Sequence, residues 1–437
     1  MEKSDYQRCL TSMYQLRRFG IKLELDTIRH MLSGLGNPQK AYQCIHIAGT
    51  NGKGSVAAML TTILLEAGYT AGRYTSPHLE RFNERICINN QPIDDPSVLA
   101  LYDAVTSLNP PERQPTFFEF TTAMALLVFE QKKVDWAVIE TGMGGRMDAT
   151  NVLEPAITVI TNISLEHKAY LGNTIAAIAG EKAGIIKAKT PLVTAVQQKS
   201  ARKVVLDTAA QRGAPVFLKS RDFRVRATDN NQFSYYGLKH RWHGLSTSLH
   251  GAHQIDNASL ALATCELLTD SGQTTLDENQ IRNGLKKTEW PGRLEVVAEK
   301  PTIILDGAHN LMAVRVLADH LIRNYSNRTV TLVLGILEDK PFKAMLKLLA
   351  PACSRMIITQ PMIERAIPVA VLVKEARNHL TEVYTKPSVE LALRQARELS
   401  GPDDVICVAG SLYVVGEAKT ALGPLDGSTD PIHRMAV

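Results

Sequence analysis

At 437 residues the chain is too long for one ordinary core and reads as two or three domains. Its 45% hydrophobic and 21% charged residues exclude a disordered or fibrous chain. The formal charge of +5 comes without any Lys/Arg block interleaved with aromatics, which argues against a nucleic-acid partner and for anionic small molecules. No apolar run approaches a bilayer span, and MEKSDYQRCL has no signal-peptide character, so a cytoplasmic protein without membrane attachment is expected. The six cysteines show neither a CxxC pair nor zinc-like spacing, and reduced, mostly buried thiols are expected.

After an amphipathic opening, CIHIAG (Cys44 to Gly49) reads as a buried strand, and SVAAMLTTILLEAG (Ser55 to Gly68) reads as a helix of good formers. Between them lies AGTNGKGS, Ala48 to Ser55. Its glycines at 49, 52 and 54 let backbone N–H groups turn toward one anion, while the helix N-terminus adds its dipole. Lys53 brings a point charge for the β- and γ-phosphates, and Ser55 a hydroxyl for Mg²⁺. The general P-loop pattern is not met, because Gly54 stands where Ser or Thr belongs and the glycine spacing is shorter.

A helix from about Glu119 to Lys132 and strands at WAVIET (Trp136 to Thr141) and AITVITNI (Ala156 to Ile163) continue the alternation, which predicts a doubly wound, mainly parallel α/β sheet. Glu140 closes the first of these strands beside a glycine-rich loop, where a carboxylate faces the ligand crevice and can hold Mg²⁺. Asp148 is ambiguous, since an Asp before a turn often only caps backbone N–H groups. His167 and Lys182 follow. Taken alone, a structural histidine and a solvated helical lysine are the plainer readings of these two.

From Val193 to about Tyr236, short β-like runs divided by polar turns suggest a small antiparallel appendage. Helical periodicity returns at NASLALATCELL, and TEWPGRLEVV has the Pro and Gly of a domain junction. The apolar runs TIILDGAH, VTLVLGIL, RMIITQP and VICVAG then alternate with helix-like stretches, predicting a second, smaller Rossmann-like α/β domain. The expected domains are 1–297 and 298–437.

The segments GTNGKGS, YTSPHLERFNERI, TFFEFTT, ETGMGGRMDATN, ISLEHKAYLGNT, EKAGIIK, WPGRLE and LDGAHN occur together in this order. As a set they resemble the folylpolyglutamate synthase/dihydrofolate synthase family of the Mur ligase superfamily. The resemblance implies a Mur-ligase-like α/β fold, with an N-terminal P-loop ATPase domain and a C-terminal glutamate-ligase domain. It implies an ATP-dependent ligase that joins L-glutamate to dihydropteroate and to reduced folates through an acyl phosphate, working as a monomer with Mg²⁺, two ions being expected. A polyglutamate synthase alone, or a Mur-type ligase acting on a UDP-sugar, are the alternatives. The second is disfavoured because only about 45 residues precede the phosphate-loop strand.

Carried over position by position, the resemblance puts Mg²⁺ ligands on Ser76, Glu140 and His167, with Lys182 as a carbamate. It puts ATP contacts on Gly52, Lys53, Gly54, Ser55, Asn257, Arg293, Asp306 and His309, which places ATP between the domains. Lys53, Lys182 and His309 would serve catalysis, His309 orienting a phosphate or the amine, although an ordinary structural histidine is the alternative there. The pterin would be held by Thr116, Phe117, Phe118 and Glu119 and by Met147, Asp148 and Ala149, with the loop around Ser76 to Arg85 nearby. A phenylalanine pair opening an apolar helix is also what simple core packing produces. Two departures touch loop shape: GAHQ (Gly251 to Gln254) replaces a family GxHN, and Leu311 replaces a family proline.

Overall fold

The apolar run that opens the nucleotide motif becomes β1 (Gln43–Ala48), buried on both faces as a central parallel strand must be. The computed structural model describes residues 4–20, 24–108, 113–228 and 232–423. β1 lies inside an eight-stranded sheet with β2 (Ala71–Tyr74), β3 (Ile86–Ile88), β4 (Gln91–Pro92), β5 (Trp136–Glu140), β6 (Ile157–Ile160), β7 (Leu192–Thr194) and β8 (Val216–Leu218). Their order is β4-β3-β2-β5-β1-β6-β7-β8. All neighbours from β2 to β8 pair in parallel, and only the edge strands β3 and β4 are antiparallel.

The helix Lys53–Glu66 that follows β1 is apolar all round, and its residues Ser55 to Leu64 are all buried. Gly284 makes this burial possible: a Cβ there would lie 2.6 Å from the Ile63 Cα, so only glycine lets the helix Glu278–Lys287 pack this closely. The helices Asp5–Gln15, Asp26–Gly34, Asp95–Thr106 and Phe117–Gln131 share a core with β2 and β5 through Met13, Ile28, Val98, Met124, Tyr74 and Ile139. A separate cluster joins Ile160 and Leu192 to the helices Ile175–Ala183 and Lys199–Gln211.

The antiparallel appendage expected from Val193 to Tyr236 is smaller and later. β7 and β8 belong to the parallel sheet, with Lys199–Gln211 as their crossover helix. Three-residue strands carry too little periodicity to be told from loop. The antiparallel sheet is β9 (Arg224–Ala227), β10 (Gln232–Tyr236) and β11 (Arg241–Ser246). Buried Glu266 anchors it. Its carboxylate accepts from Tyr235 Oη and Leu238 N at 2.9 Å, His240 N at 2.8 Å, and Lys239 N, while a Cβ at Gly237 would strike it. Replacing Glu266 by alanine strands these donors and is expected to cost about 2–4 kcal/mol. A urea-unfolding midpoint equal to the wild type would refute this.

By its contacts the chain forms two units: one runs through Pro77, from Phe82 to Ser248 and from Gln254 to Glu289, the other from Trp290 onward together with His78–Arg81 and Leu249–His253. A division after Val297 would cut β12 (Glu295–Glu299), which pairs with β13 (Thr302–Leu305) in the second unit. That unit is built on a six-stranded sheet of order β12-β13-β17-β14-β15-β16, with β14 (Val330–Leu334), β15 (Arg355–Ile358), β16 (Val383–Thr385) and β17 (Val405–Ala409). β13 to β16 and β17 are parallel, and alternate residues serve opposite cores: Ile304, Leu332 and Cys407 on one face, Ile303, Val333 and Ile406 on the other. All six cysteines are free thiols, and among the described helices none is long and apolar enough to cross a membrane.

Candidate active site

The carboxyl ends of β2, β5, β1 and β6 lie side by side; Lys53, Glu140 and Glu166 stand at or just beyond these ends, and the helix Ile175–Ala183 adds Lys182. After β1 the chain enters the phosphate loop with two glycines in the left-handed region, Gly49 at φ +146° and Gly52 at φ +88°. Both are required sterically. A Cβ on Gly49 would strike Thr161 Oγ1, and one on Gly52 would strike Asn257 Oδ1. The loop is fastened to the end of β6: Thr161 Oγ1 and Asn162 Nδ2 donate to the Asn51 carbonyl at 2.7 and 2.9 Å, and Asn51 N donates to Asn162 Oδ1 at 3.1 Å. Residues 161–163 thus leave the ladder that the sequence assigned them to. Gln254, at the departure from the family pattern, accepts from Asn257 Nδ2 at 2.9 Å and so holds the residue that faces Gly52.

Two lysines converge on one carbonyl of this loop. Lys53 Nζ donates to the Gly49 and Thr50 carbonyls at 3.1 and 3.2 Å, and Lys182 Nζ reaches the same Gly49 oxygen at 2.8 Å. Each has a carboxylate: Lys53 lies 3.6 Å from Glu140, and Lys182 2.6 Å from Glu166. Burial pushes the Lys182 ammonium down from its ordinary range against the opposing pull of Glu166, with the neighbouring Lys53 charge pushing the same way as burial. Burial also pushes the Glu166 carboxyl up, but the Lys182 and Lys53 charges outweigh it and hold the group at about 2. Next to Glu166, His167 adopts φ +44°, a conformation uncommon outside glycine and found where a side chain must be aimed. Ser76 sits two residues past β2, whose Tyr74 is in register with Ile139 beside Glu140.

The substrate-contact candidates divide into two kinds. Thr116 and Glu119 form a capping box at the head of Phe117–Gln131, and Glu119 is also held by Arg113 at 2.7 and 3.1 Å, so both side chains are occupied structurally. Phe117 packs into the core against Tyr14 and Phe82. Phe118 stacks 5.9 Å from Tyr74 and covers Gly142, where a Cβ would meet its ring at 2.5 Å. Met147 is 38% exposed, whereas Asp148 and Ala149 are buried. The Asp148 carboxylate turns inward to accept from Met143 N at 2.8 Å, Thr150 N at 3.1 Å and Thr150 Oγ1 at 2.5 Å.

In the second unit Asp306 plays a similar part. Its two oxygens accept Leu294 N and Ala308 N, both at 2.9 Å, tying the Gly292–Leu294 turn to the loop after β13. Burial pushes its carboxyl up, opposed by the Arg293 charge. The Arg293 guanidinium lies against Gly307, where a Cβ would strike it, and His309 Nδ1 donates to the Gly307 carbonyl at 2.7 Å.

Residues 47–265 match the family model of the Mur ligase middle domain, and residues 292–412 that of the Mur ligase glutamate ligase domain. A dihydrofolate synthase/folylpolyglutamate synthase from Bacillus subtilis is 38% identical over 431 residues, spanning 95% of this chain and 99% of that protein. The chain belongs to the dihydrofolate synthase/folylpolyglutamate synthase branch of the Mur ligase family. It is accordingly an ATP-dependent ligase. Among solved structures, the Mycobacterium tuberculosis folylpolyglutamate synthase complexed with ADP and AMPPCP superposes with a TM-score of 0.88 at 33% identity, covering 96% of this chain and 99% of its own. The bifunctional folylpolyglutamate synthase/dihydrofolate synthase of Yersinia pestis, complexed with AMPPNP and Mn, gives 0.86 at 30% identity, covering 96% and 98%.

For a dihydrofolate synthase/folylpolyglutamate synthase relative, the residue that sequence reasoning passed over is Glu166. It stands in LEHKAYLG, where an acidic residue beside a histidine reads as a solvated turn, and only the fold brings it to Lys182, sixteen positions later. Thr161 and Asn162 were passed over as ends of a strand. Among the described residues no three His, Cys, Asp or Glu side chains gather for a metal ion.

Proposed function

We propose that this chain adds L-glutamate to dihydropteroate and to reduced folates, at the expense of ATP, as a cytoplasmic monomer. The observation that carries the reading is the pair of lysines on the Gly49 carbonyl, each with its own carboxylate, under a glycine loop at the head of a buried helix. This arrangement handles transferred phosphate charge and contains no activated nucleophile, so the substrate itself must attack.

In the first step the acceptor's carboxylate attacks the γ-phosphorus of ATP, the bond to the β–γ bridging oxygen breaks, and ADP leaves. The loop N–H groups and Lys53 hold the phosphates in line and offset the charge that develops on them. The α-amine of glutamate then attacks the acyl-phosphate carbonyl, loses a proton, and the tetrahedral species expels phosphate. Ser76, Glu140, His167 and Lys182 are the residues that would hold divalent metal, which when bound neutralises phosphate charge. Lys182 fits the role of a carbamate because burial lowers its basicity, and only the neutral amine adds CO₂, releasing a proton as the N–C bond forms.

The test measures ADP formation with dihydropteroate or tetrahydrofolate as sole acceptor, with and without L-glutamate. Glutamate-dependent ADP with both is expected. Activity with the folate alone would reduce the function to polyglutamate synthesis, and activity with neither would overturn the reading.

A further inference from the structure

His46 is fully buried in β1, and its ring touches neither the phosphate loop's carbonyls nor the charged quartet through any hydrogen bond recorded among the described residues. Its Nε2 lies 2.8 Å from Thr150 Oγ1, and that hydroxyl lies 2.5 Å from Asp148 Oδ1. The proton count determines the direction. The Asp148 oxygens accept Met143 N, Thr150 N and the Thr150 hydroxyl proton, so the Thr150 oxygen is left to receive the His46 Nε2–H. The ring is then the Nε2–H tautomer with a bare Nδ1, and among the described residues Nδ1 has no hydrogen-bond partner. Burial, aided by the Lys187 charge, pushes the imidazole down to about 3, which keeps it neutral.

This line of bonds ends on the loop that follows Glu140. Asp148 closes residues 142–148 by taking Met143 N on its second oxygen at 2.8 Å. One end of the loop, Gly142, lies under the Phe118 ring, and near the other Met147 is exposed. The far side of the loop is clamped to the helix Ile175–Ala183, Arg146 N donating to the Glu181 carbonyl at 2.8 Å, and Asn151 Nδ2 bonds the Arg146 carbonyl at 2.9 Å. His46 is the inner clamp.

We propose that His46 is a positioning residue for the acceptor ring: through Thr150 and Asp148 it sets the Gly142–Met147 loop against Phe118, and so governs affinity for a flat pterin without touching it. The proposal rests on the function proposed above and on the sequence resemblance that puts Phe118 and Met147 at the pterin. Hydrogen bonds in series act as one unit, so breaking either link should have the same effect, and breaking both should add nothing.

The test compares wild type with Thr150→Val, His46→Leu, His46→Gln and the His46→Leu/Thr150→Val double variant, measuring KM for dihydropteroate, tetrahydrofolate and ATP separately. Thr150→Val and His46→Leu should each raise acceptor KM about tenfold and leave ATP KM within about twofold, the mark of lost acceptor binding rather than lost fold. The double variant should match the worse single variant. His46→Gln, whose amide N–H can stand near the Nε2 position, should recover acceptor KM to within about threefold of wild type. Additive effects in the double variant, equal rises in ATP KM, or an unchanged acceptor KM in Thr150→Val would each overturn the proposal. If His46→Leu does not fold, Thr150→Val and His46→Gln decide the matter by the same criteria. Wild type inactive with both acceptors would instead remove the functional reading, a result distinct from active wild type with silent variants.

Discussion

Replacing Lys53 by alanine is expected to lower the ligation rate by about three orders of magnitude while shifting the thermal midpoint by less than about 3 °C. The side chain bonds two loop carbonyls, Gly49 and Thr50, and lies 3.6 Å from Glu140, too far for a hydrogen bond, so its contribution to the loop is mainly charge. The Gly49 oxygen keeps Lys182 as a donor when Lys53 is removed, whereas the charge developing on a transferred phosphoryl group has no such substitute. Loop shape itself rests on Gly49, Gly52, Thr161 and Asn162, none of which the substitution touches. Steady-state ADP release at saturating acceptor and glutamate, with a thermal melt beside it, is the measurement. Turnover within tenfold of wild type would sink the phosphate assignment.

Lys182→Met should do two things at once: abolish ligation and destabilise the fold by about 3–5 kcal/mol, because it leaves the Glu166 carboxylate largely buried with its ion-pair partner gone. The companion Lys182→Met/Glu166→Gln should recover most of that stability and none of the activity. Urea unfolding separates the first effect and ADP release the second. Recovery of activity in the double variant would mean that Lys182 serves the fold alone. The loss of stability applies to the metal-free protein with Lys182 as the ammonium. Carbamylation replaces this cation by an anion beside Glu166, whose charge a bound divalent ion would have to offset. It demands that wild-type turnover fall when bicarbonate and CO₂ are removed and return when they are restored.

Glu166 also contributes a stability term with a definite sign. Its folded value of about 2 lies below the ordinary 4.5, so its contribution is complete above the ordinary value and is lost as pH falls through the folded one. Wild-type stability should therefore decline between those limits more steeply than that of Lys182→Met/Glu166→Gln, which lacks the group.

The elements whose chemistry is local were legible in the amino-acid sequence. A short, largely apolar run, three closely spaced glycines, a lysine and a helix-forming stretch read together as strand, anion loop and helix, and β1 with Lys53–Glu66 has that form. The alternating faces of the second unit's sheet were implicit in the same way, because a strand buried on both sides needs apolar residues at every position. Shorter elements were not legible: β7 and β8 have three residues each, and such runs acquire an identity only from the neighbours they pair with. Several site residues were visible as types without roles. Asp306, Thr116 and Glu119 were read as ligand contacts, and Asp148 as either a contact or a cap on backbone N–H groups; in the fold, oxygens of all four accept backbone N–H groups. Glu166 and His46 are the reverse case. Nothing near them in the chain marks either one, because an ion pair across sixteen residues and a hydrogen bond across 104 exist only once the sheet has brought the strand ends together. Local composition determined that this protein would cradle a phosphate; only the tertiary structure decided which buried charges would balance the cradle, since pairing depends on distance in space and the dielectric of the interior.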